Sequence, residues 1–99
     1  MQDDEFEWDD AKARSNFTKH RTLFEIARAG FDDAFALTEP DLSGSTSEDQ
    51  FRLIAAVEGR MLTISFCYRG PRIRIISARK ATRYERRRYY DANSGKPDH

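Results

Sequence analysis

Alternating hydrophobic and polar residues in the second half of the chain predict three β-strands. The runs cover residues 51–57, 61–68 and 72–78. The triplet E-G-R separates the first two runs and R-G-P separates the last two, and both contain glycine, which is typical of tight turns. Because short turns connect neighbouring strands that run in opposite directions, the pattern indicates an antiparallel meander.

Two helices are predicted before this meander. The first begins at Asp9 or Asp10, either of which can cap it, and ends near Thr18. The second begins near Thr22, because T-L-F-E has the spacing of a capping box, and ends at Gly30. Few apolar residues share a face of the first helix, so it is expected to bury little.

A third helix is predicted after the meander. Thr82 and Glu85, in T-R-Y-E, have the spacing of a second capping box, and the helix is expected to run to about Ala92. The remaining segments are two short strands, at 6–8 and 35–38, and a polar loop at 39–49.

The order of elements, β-α-α-β-β-β-β-α, predicts an α+β domain. We expect an antiparallel sheet of about four main strands, with two N-terminal helices and one C-terminal helix. A chain of 99 residues is long enough for one hydrophobic core. Residues 1–92 are therefore expected to form a single domain, and residues 93–99 a flexible C-terminal tail.

Side-chain alternation divides the predicted sheet into two faces. In the last strand, Ile73 and Ile75 share one face while Arg72 and Arg74 share the other. The apolar face is expected to carry the helices. If the strand registers align, the polar face also contains Arg52, Thr63 and Ser65.

The chain has no net charge, yet its charges are unevenly distributed. Residues 1–58 contain 14 Asp and Glu and 6 Lys and Arg, whereas residues 59–99 contain 11 Lys and Arg and 3 Asp and Glu. This asymmetry indicates either a charge match between the two halves or two partners of opposite sign.

Much of the positive charge lies in residues 72–90, which contain eight Arg and Lys and one acidic residue, Glu85. Arginine forms paired hydrogen bonds with phosphate and stacks on bases. Tyrosines interleave aromatic surface with these charges, which is typical of single-stranded RNA sites. We therefore expect an RNA-binding surface here.

The composition argues against several other classes of protein. The apolar runs are too short to span a membrane, and the acidic start M-Q-D-D-E is unlike a secretory signal. Cys67 is the single cysteine, so no intrachain disulfide can form. Neither a metal nor another cofactor is expected, because Cys, His and carboxylates lack metal-ligand spacing. A cytoplasmic protein fits these features.

Five segments of the sequence together resemble the BrnT family. They are F-E-W-D (6–9), N-F-T-K-H (16–20), F-E-I-A (24–27), F-D-D (31–33) and R-I-R-I-I-S-A-R-K-A-T-R-Y-E-R (72–86). The resemblance implies a RelE-like fold and a bacterial toxin of a type II toxin–antitoxin module that inhibits translation by cutting RNA without a metal. It also implies a hetero-oligomer with a BrnA-like antitoxin, whose ribbon-helix-helix part binds the operator DNA.

The chain departs from the family pattern at three places. Arg21, Thr22 and Leu23 stand where the family usually has Gly, an aliphatic residue and Ser, and the helix cap is therefore expected to move by one residue. Gln50 stands where the family often has Arg, and the long loop before it lacks a His that is common in the family. If either of those groups assists cleavage in the family, this chain is expected to cleave more weakly or with a different selectivity.

RNA cleavage without a metal needs a base, positive charge on the phosphate and an acid. The candidate catalytic residues are His20, Glu85, Arg72, Arg74, Arg79 and Lys80. His20 matches the Lys-His pair of the family, but a histidine at a helix end can also serve as a dipole partner. Glu85 is the alternative base, although its capping position gives it a structural task. One or two of the arginines could instead bind the acidic N-terminal half.

The candidate RNA-binding residues are Lys19, Arg52, Arg83, Arg86 and Tyr89. Tyr89 or Tyr90 could stack on a base or donate a proton, or pack on the sheet. Two other functions remain open from the sequence. The first is a non-catalytic nucleic-acid-binding or regulatory module that uses the same basic surface, and the second is a structural protein assembled through its charged halves.

Overall fold

The structure, a computed structural model, describes residues 1–42 and 49–94. The strands in this part of the chain are β1 (Phe6–Glu7), β2 (Leu37–Pro40), β3 (Phe51–Val57), β4 (Arg60–Arg69) and β5 (Arg72–Lys80). The helices are α1 (Asp10–His20), α2 (Phe24–Ala27), a 3₁₀ helix (Arg28–Asp32) and α3 (Arg83–Asn93). The predicted α+β class is confirmed.

The five strands form one mixed sheet in the order β1-β5-β4-β3-β2. The predicted meander of β3, β4 and β5 is confirmed, but the prediction of a wholly antiparallel sheet is wrong. Strand β1 pairs in parallel with β5, and Phe6 lies opposite Ile73. Side-chain alternation within a strand carries no information about the direction of its partner, so the sequence did not reveal this pairing.

A β-bulge in β5 changes the face on which its later residues lie. Ser65 of β4 pairs with Ser77, whereas the next residue, Phe66, pairs with Ile75, so Ile76 is an extra residue on β5. The bulge shifts the alternation by one position. Arg79 therefore lies on the same face as Arg74, although the two are an odd number of residues apart.

The hydrophobic core lies between the apolar face of the sheet and helices α1 and α2. Its largest fully buried side chains include Phe24 from α2 and Leu62, Ile64, Phe66 and Ile75 from the sheet. α1 contributes little to this core, as expected, and Asn16 is its one buried residue.

Helix α3 lies against the opposite face of the sheet. Thr63, on the polar face of β4, donates a hydrogen bond from its hydroxyl to Glu85 of α3 at 2.8 Å. The expectation that the apolar face carries the helices is therefore correct for α1 and α2 and wrong for α3. The capping box that begins α3 is confirmed, since Thr82 and Glu85 each accept a hydrogen bond from the other's backbone N–H.

The predicted boundaries around α2 are wrong. Thr22 does not cap this helix: it is buried and donates its hydroxyl to the carbonyl oxygen of His20, and Leu23 takes the cap position without a side-chain bond. Gly30 is not a helix stop but lies within the 3₁₀ helix. A Cβ on Gly30 would lie 2.9 Å from Cδ1 of Ile64, so close packing is what this position requires.

Three smaller differences concern element ends. α1 continues two residues beyond Thr18, and β2 lies two residues later than the predicted strand at 35–38. Asn93, expected in the tail, is the last residue of α3. Parts of the predicted loop and tail, residues 43–48 and 95–99, lie outside the described residues.

Candidate functional site

A cleft of about 700 Å³ lies where the end of α1 meets the β3–β4 turn, the end of β5 and α3. Its lining residues are His20, Arg21, Thr22, Ala56, Gly59, Arg60, Met61, Leu62, Lys80, Arg86 and Tyr90. We refer to this feature as the basic cleft. Three of the residues predicted for the site, His20, Lys80 and Arg86, meet here, although they are far apart in the sequence.

The basic cleft has a strongly one-sided charge. Arg21, Arg60, Lys80 and Arg86 are exposed cations around it, and His20 is half-buried between them. Among the described residues of its lining there is no carboxylate. A concave surface with charges of one sign concentrates ions of the opposite sign, so the cleft is suited to a polyanion.

His20 is held at the cleft by a hydrogen-bonded anchor one turn earlier in α1. Asn16 donates from its Nδ2 to the carbonyl oxygens of Thr22, at 3.0 Å, and Ala78, at 2.8 Å. Its Oδ1 accepts from the backbone N–H of Ala78 at 3.1 Å. The amide side chain therefore pairs with β5 much as a neighbouring strand would, and it fixes the end of α1 against the sheet.

The helix ends at Arg21 in an unusual backbone conformation. Arg21 has φ 56° and ψ 31°, in the left-handed region, and its N–H donates to the carbonyl oxygen of Phe17 at 2.8 Å. This conformation costs a non-glycine residue about 1–2 kcal/mol. The guanidinium carbon of Arg21 lies 5.0 Å from the centroid of the Phe17 ring.

Lys80 and Arg86 are positioned by the junction between β5 and α3. Lys80 ends β5, and the next residue, Ala81, donates its N–H to the carbonyl oxygen of Met61 at 2.9 Å. The capping box then sets the first turn of α3, which presents Arg86 and Tyr90 on one face because they are four residues apart.

Glu85, the alternative candidate for the base, is not among the residues that line the basic cleft, and its carboxylate is fully hydrogen-bonded. Arg79 donates two hydrogen bonds to its carboxylate, at 2.8 and 3.0 Å, and the Thr82 N–H and Thr63 hydroxyl donate two more. The hydrogen bond from Arg79 is the main reason that the pKa of Glu85 falls to about 2, and the other donors add to it against the opposing effect of burial. A carboxylate with so low a pKa is a poor proton acceptor at neutral pH.

Arg72 and Arg74 lie at the other end of β5, away from the basic cleft. Arg74 forms an ion pair with Glu7 at 2.7 Å, and Arg72 donates from Nε to the carbonyl oxygen of Asp3 at 2.7 Å. Both arginines therefore bind the acidic N-terminal segment, as one of the interpretations of the sequence anticipated.

Glu39 forms a second set of ion pairs, one with a cation of its own half of the chain and one with a cation of the basic half. Glu39 of β2 pairs with Arg52 at 2.9 Å and with Arg88 at 2.7 Å. The Glu39–Arg88 pair and the Glu7–Arg74 pair each join the acidic half to the basic half, so part of the charge asymmetry is matched internally.

The remaining predicted residues lie outside the cleft lining. Lys19 and Arg83 are exposed, at the end of α1 and the start of α3.

Tyr89 is buried and donates its hydroxyl to Asp33 at 2.8 Å. Burial and this hydrogen bond raise the pKa of Tyr89 to about 12. Asp33 also accepts the N–H groups of Phe35 and Ala56, so it links α3 to β3.

Two cations and one tyrosine of the lining are not among the predicted catalytic and RNA-binding residues: Arg21, Arg60 and Tyr90. Tyr90 had been considered as an alternative to Tyr89, and its four-residue spacing from Arg86 was the available signal. Arg60 directly follows the turn glycine Gly59, and its membership of the cleft depends on long-range packing that no local pattern reveals.

Neither a metal cluster nor a membrane span is found in residues 1–42 and 49–94. No group of three or more His, Cys, Asp or Glu side chains there is arranged to hold a metal ion. None of the helices there is long and apolar enough to cross a membrane.

The sequence matches a model of a known protein family. A family model described as the ribonuclease toxin BrnT of type II toxin–antitoxin systems matches residues 8–85. The match includes His20, Arg21, Arg60 and Lys80 and stops one residue before Arg86. No curated protein matches the chain.

Proposed function

Since the chain belongs to the BrnT family of ribonuclease toxins of type II toxin–antitoxin systems, we propose that it is a metal-independent RNA endonuclease that inhibits translation. The observation that carries this proposal is the meeting of His20 with Lys80 and Arg86 in the basic cleft. An imidazole can accept a proton and cations can stabilise charge on the phosphate, and these are two of the three functions that RNA cleavage without a metal needs.

In the proposed reaction, His20 accepts the proton of a ribose 2′-hydroxyl. The 2′-oxygen attacks the adjacent phosphorus, a new O–P bond forms, and the bond from phosphorus to the 5′-oxygen breaks. Lys80 and Arg86 stabilise the negative charge that builds up on the phosphoryl oxygens, and so supply the positive charge that a metal ion supplies in other nucleases. The products are a 2′,3′-cyclic phosphate and a 5′-hydroxyl.

The leaving 5′-oxygen must gain a proton for the reaction to be complete. Tyr90 contributes an exposed phenolic hydroxyl to the cleft lining: it lies four residues from Arg86 and is 61% exposed, whereas the other hydroxyl of the lining, that of Thr22, is buried and bonded to the His20 carbonyl oxygen. We assign Tyr90 either this proton transfer or stacking on a base. Tyr90→Phe separates the two roles, because it removes the hydroxyl that would donate the proton and keeps the ring that would stack.

The family resemblance also supports more specific proposals about fold and partners. We assign the domain to the RelE-like fold and expect it to act in the cytoplasm. A BrnA-like antitoxin is the proposed partner, in a hetero-oligomer that contacts operator DNA through the antitoxin's ribbon-helix-helix part. Lys19 and Arg83, which are exposed at the end of α1 and the start of α3, are proposed to contact RNA outside the cleft. Arg52 is ion-paired with Glu39 and is assigned to the fold.

Induced expression of the chain in bacteria tests this function. Wild type is expected to arrest growth, co-expression of the antitoxin encoded beside it to restore growth, and His20→Ala to leave growth normal at equal protein level. A non-catalytic binding module would arrest growth equally with His20→Ala, and that result would overturn the proposed chemistry.

A further inference from the structure

Arg21 occupies a backbone conformation that favours glycine. Among the described residues, two that are not glycine have a positive φ, Arg21 and Glu58. Glu58 precedes Gly59 in the two-residue turn between β3 and β4, where hairpin geometry requires positive φ at both central positions. Arg21 instead ends α1, a position at which glycine removes the strain at no cost in hydrogen bonding.

The surroundings of the Arg21 side chain do not offset this strain. The side chain is exposed, and none of the described carboxylates forms an ion pair with it. Its contact with the Phe17 ring is a solvent-exposed cation–π interaction, which is weak. It also shares the cleft lining with the cations Arg60, Lys80 and Arg86, whose charges repel it.

An anion bound in the cleft would reverse the repulsion among the cations and so offset the cost of the strained backbone. A bound phosphodiester converts the repulsion among the cations into attraction, and a guanidinium whose face lies on Phe17 keeps its N–H edges free to donate. The left-handed turn directs the chain after His20 so that two consecutive side chains, His20 and Arg21, reach the same cleft.

We propose that Arg21 is a phosphate-binding residue of the basic cleft, kept in a strained helix cap at the expense of the stability of α1. The proposed ligand is the phosphodiester next to the one that His20 addresses in single-stranded RNA. This inference rests on the proposed function and extends it by one residue.

The test compares full-length wild type, Arg21→Gly and Arg21→Lys, with Arg14→Ala as the matched control. Arg14 is an exposed cation of the same helix that lines a different groove. The probe is a fully 2′-O-methylated single-stranded RNA, which cannot be cleaved because it lacks the 2′-hydroxyl. Its affinity is measured over a range of salt concentrations, and the melting temperature is measured for each protein.

Arg21→Gly is expected to raise the melting temperature by about 4 °C. It is also expected to weaken binding about fivefold and to reduce the slope of log affinity against log salt by about 0.7, the value for one lost phosphate contact on a single strand. Arg21→Lys is expected to keep the slope, and Arg14→Ala to bind as wild type does.

Two results would overturn the inference while the proposed function stands. One is that wild type binds the RNA and Arg21→Gly binds it with equal affinity and slope. The other is that Arg21→Gly lowers the melting temperature, which would show that the cap is not strained. If wild type itself fails to bind the RNA, the proposed function fails, and the inference fails with it.

Discussion

Arg79 and Glu85 form a two-point ion pair, in which Arg79 Nη1 lies 2.8 Å from Glu85 Oε1 and Nη2 lies 3.0 Å from Oε2. The same carboxylate caps α3 and accepts the Thr63 hydroxyl. Among the cations of residues 72–90, Arg79 therefore anchors α3 on the polar face of the sheet, whereas Lys80 and Arg86 face the basic cleft.

Glu85→Gln is expected to lower the free energy of unfolding at pH 7 by about 2 kcal/mol, because it removes a charge-assisted pair but keeps a residue that can complete the capping box. The pKa of Glu85 is lowered from 4.5 to about 2 in the folded protein. The pair therefore stabilises wild type fully above pH 4.5, and this contribution is lost as the pH falls from 4.5 towards 2. Urea unfolding at pH 7 and at pH 3 measures both effects.

The same variant tests whether Glu85 is the base. Cleavage per folded molecule at pH 7 is expected to be unchanged in Glu85→Gln, since the proposed base is His20. A loss of about 100-fold or more, the size expected for removal of a general base, with most of the protein folded would make Glu85 the base and refute the assignment to His20.

Lys80 and Arg74 provide a matched pair of cations on one strand. Lys80 lines the basic cleft, whereas Arg74 pairs with Glu7. Lys80→Gln is expected to slow RNA cleavage about 10- to 100-fold with little change in stability. Arg74→Gln is expected to lower the free energy of unfolding by about 1 kcal/mol and to leave cleavage unchanged. Cleavage assays and urea unfolding on both variants check this, and equal effects of the two on cleavage would contradict it.

Asn16→Ala is expected to destabilise the protein by about 2–3 kcal/mol, because the buried N–H and carbonyl groups of Ala78 lose their partner. Amide hydrogen exchange at Ala78 should accelerate, and cleavage should fall because the end of α1 carries His20. The exposed Ser15 on the same helix supplies the control Ser15→Ala. A change of less than about 0.5 kcal/mol for Asn16→Ala would show that the amide does not anchor the helix.

Gly30→Ala separates two opposing effects. Alanine is favoured over glycine in a helix by up to about 1 kcal/mol, but its Cβ would lie 2.9 Å from Cδ1 of Ile64 and 3.1 Å from Cβ of Ala55. Because both neighbours are buried, we expect overpacking to dominate, with a net destabilisation of about 1–2 kcal/mol in urea unfolding. The neutral control is the exposed Ala29 changed to Ser, and a stabilised Gly30→Ala protein would contradict the close packing.

Elements set by neighbouring residues could be predicted from the sequence. The meander followed from alternation and glycine turns, and the start of α3 followed from Thr82 and Glu85. The same capping-box spacing failed at Thr22, whose hydroxyl bonds to His20 and whose carbonyl oxygen accepts from Asn16. Spacing alone cannot show that a tertiary contact already uses the residue.

Features that depend on long-range pairing could not be predicted. Nothing in Phe6 or Glu7 indicates a parallel partner, and the extra residue Ile76 becomes visible only in the register with β4. The candidate site was predicted in part. His20, Lys80 and Arg86 do share a cleft, while Arg72 and Arg74, although identical in type, are directed to Asp3 and Glu7 by that same pairing of strands.

The most direct test of the central claim is the rate at which the purified full-length chain cleaves single-stranded RNA in the presence of EDTA. We expect wild type to cleave and to leave 2′,3′-cyclic phosphate ends. His20→Ala is expected to be slower by about 100-fold or more with an unchanged melting temperature, and Arg74→Gln is expected to cleave as wild type does. RNA left intact by wild type, or cleaved equally fast by His20→Ala, would contradict the claim that the basic cleft is a metal-independent ribonuclease site.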